Sequence, residues 1–201
     1  MDVQDALAQV RRMQDILQER RLFRGYSGRA RLFSGGLALA GAAVLASGRV
    51  PATPRAQLAG WLLILALALL ANYGALAWWF FSRRGAGRNL AALAPAREAL
   101  APLALGGLLT LALMRAGATD LLFGAWMACY GLAHLPYRLT LPRANYALGL
   151  GYFACGAALL LAPGVRLLHP WPMGLIFFVG ETIGGFVLLH DHGNDRTSTH
   201  E

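Results

Sequence analysis

The chain has 201 residues, 57% of them hydrophobic and only 14% charged, whereas a soluble domain carries about a quarter charged residues. A chain this short has no single core able to take up so much apolar surface, so composition excludes an ordinary water-soluble domain and makes lipid the solvent. The net charge of +8 does not point to nucleic acid: all 18 basic residues are arginine, and they lie between the apolar runs, where membrane orientation is set, instead of along one soluble face.

In chain order, residues 2–23 place Val3, Leu7, Val10, Met13 or Gln14, and Leu17 at steps of three and four, the spacing of one helical face. The opposite face carries Asp2, Asp5, Asp15 and Glu19 against Arg11, Arg12, Arg20 and Arg21. Such a helix can lie on a membrane surface, pair with a copy of itself or recruit a cytoplasmic protein partner. The lead into the first apolar run is too long and too charged for the n-region of a cleavable signal peptide, so that run is expected to stay in the membrane.

Apolar segments then follow at 32–47, 58–81, 99–114, 121–135, 146–162 and 173–190, each near the ~20 residues that cross the hydrocarbon core. The third and fourth are short, and residues 90–98 extend the third inward past Pro95 in this reading, a neighbouring helix satisfying the backbone group that proline frees. The fold class is therefore an all-α polytopic membrane helix bundle with about six transmembrane helices. Its organisation is a cytoplasmic amphipathic helix and basic lead over 1–31, a six-helix domain over 32–190 and a polar tail over 191–201.

Alternate sides of the segments differ sharply in arginine. Arg11, Arg12, Arg20, Arg21, Arg24, Arg29, Arg31, Arg83, Arg84, Arg88, Arg97, Arg138, Arg143 and Arg196 fall on one side, against Arg49, Arg55, Arg115 and Arg166 on the other. The positive-inside bias puts the first group, and both termini, in the cytoplasm of a bacterial inner-membrane protein. Aromatic anchors agree: Trp78, Trp79, Phe80 and Phe81 close the second segment, and Trp171 opens the sixth ahead of Pro172, a residue suited to a first helical turn. Gly41, Gly106 and Gly156 open similar small-residue stretches that run outward, which suggests three like-oriented hairpins.

Glu181 is the sharpest chemical signal, the one carboxylate well inside a span. A carboxyl deprived of water there is costly and marks function by default, and one that holds its proton to near neutrality would serve proton or ion coupling. Asn72, Tyr130 and Tyr152 stand at similar depth as its candidate partners. Gly180, Gly184 and Gly185 surround it on the same helix, with Gly180 and Gly184 in the G-x-x-x-G spacing of close helix packing. These faces suggest a homo-oligomer in the bilayer, built as a small transporter, channel or membrane-embedded regulatory component.

Two further readings come from other residues. His134, His190 and His192 reach the same leaflet by antiparallel bookkeeping, and imidazoles at a shared depth can hold a metal or clasp a haem. Alternatively the spans only anchor a scaffold that acts through residues 2–23. Tyr130, Gly131, His134, Tyr137 and Arg138 share a stripe that reads as a cytoplasm-facing vestibule or an interfacial belt. Cys129 and Cys155 lie inside spans and read as small packing residues. No G-x-S-x-G elbow, S-x-x-K or nucleotide-binding glycine motif occurs in a suitable context, so the residues lean away from an enzyme.

The passage RLFRGYSGRARLFSGGLALAGA, with Phe23-Arg24-Gly25-Tyr26 running into the first span, resembles uncharacterised small bacterial polytopic membrane proteins that begin with a short amphipathic helix. The likeness covers the first forty or so residues and implies no activity and no site residues.

Overall fold

The structure is a computed structural model. It describes Gln9 and residues 26–82, 93–161 and 166–197, with side chains followed as far as Asp191. Apart from Gln9, the helix expected over 2–23 lies outside the described residues, as do the loop arginines Arg83, Arg84 and Arg88 and the side chains of His192 and Arg196.

Every described element is helical. Helix α1 (Gly28–Ala46) starts where Ser27 Oγ accepts the Ala30 amide at 3.3 Å, a side-chain cap for one of the four donors that a helix start leaves unpaired. It ends two residues before Gly48, whose φ of 76° reverses the chain at a value that costs glycine little. Helix α2 (Pro54–Ser82) has Pro54 at its first position, where the missing N–H costs nothing. Helices α3 (Ala94–Glu98) and α4 (Leu100–Arg115) are divided by Ala99 alone. Pro95 lies in the first turn of α3, and residues 90–92 of the expected inward extension lie outside the described residues.

Gly117, at φ 70°, turns the chain into the fourth segment, which is broken in three. A 3₁₀ turn (Thr119–Leu121), helix α5 (Leu122–Leu132) and a second 3₁₀ turn (Leu135–Leu139) follow one another, with Pro136 at the start of the second turn, where its ring forbids a continuing α-helical ladder. Helix α6 (Arg143–Leu161) begins after Pro142, and α7 (Trp171–Thr197) has Pro172 in its first turn.

Among the described residues, five stretches are long and apolar enough to cross a membrane: α1, α2, α3 with α4, α6, and the Trp171–Asp191 part of α7. The segment of α5 does not reach that length, its α-helical core rising only about 16 Å. Instead it is the most enclosed helix, with Leu122, Phe123, Gly124, Ala125, Met127, Cys129 and Gly131 all buried. At the other extreme, only 6% of the apolar window of α2 is buried. Leu63, Leu70 and Trp78 there point outward, the arrangement that lipid favours and water penalises.

The closest packing runs between α1 and α7 and between α5 and α6, with α2 against α1 and α4 against α5. Glycine makes both principal contacts possible. A Cβ on Gly28 would strike the Gly185 carbonyl and one on Gly185 would meet Leu32, while between α5 and α6 Gly124 faces Gly156 and Gly131 faces Gly149. Backbones approach closely where small residues meet, as packing within lipid requires. Two apolar layers result. One gathers Ala42, Trp61, Leu122, Phe123, Met127 and Met173, and the other Leu76, Ala96, Ala133, Tyr137, Leu141 and Leu188.

Candidate functional site

Among the described residues, seven polar or charged residues are buried: Arg31, Ser34, Gln57, Thr110, His134, Asn145 and Glu181. Four of them form one cluster. Glu181 on α7 is 2% exposed and Arg31, in the first turn of α1, is 0% exposed. The guanidinium grips the carboxylate with both ends of its fork, Nε donating to Oε2 at 2.8 Å and Nη2 to Oε1 at 3.0 Å. Two phenols complete the carboxylate's shell, Tyr130 Oη donating to Oε1 at 2.7 Å and Tyr152 Oη at 3.0 Å. A carboxylate with four donors, two of them charged, is an ionised group held in charge-assisted bonds.

The rest of the guanidinium is equally occupied. Nη1 donates to Asn145 Oδ1 at 2.6 Å, and Nη2 approaches His134 Nε2 at 3.4 Å. The His134 tautomer follows from its neighbours. A backbone carbonyl only accepts, so the 2.9 Å contact of Nδ1 with the Tyr130 carbonyl places the proton on Nδ1; a guanidinium only donates, so Nε2 presents its lone pair. The Tyr26 ring lies with its centroid 6.0 Å from the guanidinium carbon, the outer reach of a cation–π contact. Burial pushes the Tyr26 phenol up to about 12, so it meets Arg31 as a neutral ring.

Gly184 is what admits the guanidinium: a Cβ there would run into Arg31 Cζ, Nη1 and Nη2. Gly180 does the same for the Tyr152 phenol. Around them Tyr130, Tyr152 and Phe177 stack with ring centroids 4.9 to 5.2 Å apart, within the range of favourable aromatic pairs. The site thus draws on α1, the end of α5, α6 and α7, and its charges cancel within it.

Of the partners expected for Glu181, Tyr130 and Tyr152 are brought to it and Asn72 is not. Asn72 Nδ2 donates to Ser34 Oγ at 2.8 Å and to the Ala68 carbonyl at 2.9 Å, tying α2 to α1 instead. Arg31, grouped by sequence with the cytoplasmic arginines, is buried in the bundle, and Asn145 was singled out by no motif. A signal for Arg31 exists in hindsight: Arg31, Ser34, Gly35, Ala38, Ala42 and Leu45 recur at helical spacing and are all buried, so the face that α1 turns inward begins with this arginine.

Of the expected set His134, His190 and His192, the structure describes the side chains of the first two. His134 is 4% exposed, with its Nε2 lone pair turned to the Arg31 guanidinium. His190 is exposed, and no three His, Cys, Asp or Glu side chains converge on a metal position among the described residues. The glycines Gly180, Gly184 and Gly185, expected from their spacing to pack closely against another helix, meet Tyr152, Arg31 and Leu32 of neighbouring segments.

No protein-family model, no curated protein and no solved structure matches this chain.

Proposed function

We propose that this chain is a multi-pass inner-membrane protein with six crossings and both termini in the cytoplasm, acting as a small transporter or membrane-embedded regulatory component through the Arg31–Glu181 pair. The fourth crossing is the segment from Thr119 to Leu139, whose enclosed α5 needs little lipid-facing surface of its own. Arginine asymmetry supports the orientation. With Arg31 removed from the loop count, thirteen arginines still face four across the bundle.

The observation that carries the reading is the complete burial of an ion pair at the junction of four helical segments. Aliphatic residues of similar volume would stabilise such a junction as well or better, because desolvating two charges offsets much of their attraction. Arg31 is also a cation in the first turn of a helix, the end whose dipole disfavours it. A pair retained against both costs reads as a working part that can be exchanged or opened.

The test is proton flux in vesicles loaded with a pH-sensitive dye under an imposed potassium diffusion potential. Wild-type protein is expected to acidify the lumen. Glu181→Gln and the charge-free double variant Arg31→Gln/Glu181→Gln are expected to abolish the flux, the double variant keeping the folded bundle. Unchanged flux in both rules out the role of the pair.

A further inference from the structure

The polar cluster has the shape of a binding site for a planar cation, and its occupant is part of the chain. Each nitrogen of the Arg31 guanidinium meets an acceptor lying on another element: Glu181 Oε2 for Nε, Glu181 Oε1 and His134 Nε2 for Nη2, Asn145 Oδ1 for Nη1. One face of the guanidinium lies along the Cβ-less backbone of Gly184, and the Tyr26 ring stands nearby. Nothing in this acceptor set needs the arginine's own aliphatic arm.

We infer that the slot formed by Glu181, His134, Asn145 and Gly184 is a guanidinium-recognition site, that Arg31 is its tethered resident, and that guanidinium-type organic cations are the ligands that exchange with it. The inference rests on the reading of the bundle as a transport or regulatory protein and names the ligand class of that same site. The physical argument concerns compensation. A carboxylate buried at this depth is expensive whenever it stands alone, so a site that releases a cation needs a substitute in the empty state. Arg31 supplies it, and the incoming ligand must reproduce both its charge and its planar set of N–H donors. Urea has the shape without the charge, and tetramethylammonium has the charge without the donors.

Ethylguanidinium corresponds atom for atom to the part of Arg31 that Arg31→Ala removes. The experiment measures the ligand-dependent rise in melting temperature of the detergent-solubilised full chain with ethylguanidinium, guanidinium, urea and tetramethylammonium. It is paired with uptake of labelled guanidinium into phosphatidylethanolamine–phosphatidylglycerol vesicles. Arg31→Ala is expected to bind ethylguanidinium roughly tenfold or more tighter than wild type does, because a competing tethered group has been removed. Urea and tetramethylammonium are expected to leave it unshifted, and Glu181→Gln to lose both binding and uptake.

Equal shifts with tetramethylammonium, or none with ethylguanidinium, would overturn the assignment. Should Arg31→Ala not fold, the wild-type chain decides: guanidinium uptake above that of Glu181→Gln vesicles supports the site, and uptake equal to theirs overturns it. Proton flux that depends on Glu181 without any guanidinium response would sink the ligand class while leaving the transport reading in place. Loss of both would remove both.

Discussion

Removing one member of the Arg31–Glu181 pair strands the other. Arg31→Met leaves the Glu181 carboxylate with two phenol donors and no counter-charge, at a position 2% exposed to solvent. Breaking a buried pair in this way costs about 3–5 kcal/mol, and for a chain of this size each kcal/mol moves the melting temperature by about 2–4 °C. The single variants Arg31→Met and Glu181→Gln are therefore expected to melt roughly 6–20 °C below wild type. The double variant Arg31→Met/Glu181→Gln removes both charges. It keeps Tyr130 and Tyr152 as donors to a glutamine carbonyl and is expected to return to within about 1–2 kcal/mol of wild type, giving a coupling energy of at least about 4 kcal/mol between the two positions. Thermal unfolding of the four proteins in one detergent, followed by helical circular dichroism, measures the cycle. Additive losses, with the double variant as unstable as the sum of the singles, would refute the reasoning, because they would show that the two side chains do not depend on each other.

Gly184→Ala is expected to destabilise by about 1–3 kcal/mol and to disturb flux, since its Cβ meets the Arg31 guanidinium. Gly151→Ala on α6, with nothing within 4 Å, is expected to be neutral or to stabilise by up to about 1 kcal/mol through helix propensity; the same melting assay separates the two. Reporter fusions that fluoresce only in the cytoplasm are expected to light up at both ends of the chain, and a signal from one end alone would contradict an even number of crossings.

The spans were legible because their signal is compositional. Runs of apolar residues bounded by arginine, proline and aromatic anchors delimit α1, α2, α6 and the start of α7 to within a few residues, while α7 continues past the apolar run to Thr197. The fourth segment was less so, because continuous hydropathy over 121–135 does not register that Pro136 and the turn before Leu122 confine the α-helix to Leu122–Leu132. Glu181 was legible as the lone carboxylate within a span, and Tyr130 and Tyr152 followed from depth. Arg31 was hidden by its position: it borders an apolar run, and only the tertiary crossing of α1 on α7 decides whether such an arginine turns to the headgroups or into the bundle. Asn72 shows the converse. Depth alone made it a partner for Glu181, and lateral placement gave it to Ser34.

The charge state of Glu181 in the bilayer tests the account most directly. The infrared difference spectrum of wild type minus Glu181→Gln, recorded in lipid vesicles at neutral pH, is predicted to contain the paired stretches of an ionised carboxylate and no carbonyl band of a protonated acid. A protonated-acid carbonyl lost on substitution, with no carboxylate signal, would contradict the ion pair with Arg31 and the function built on it.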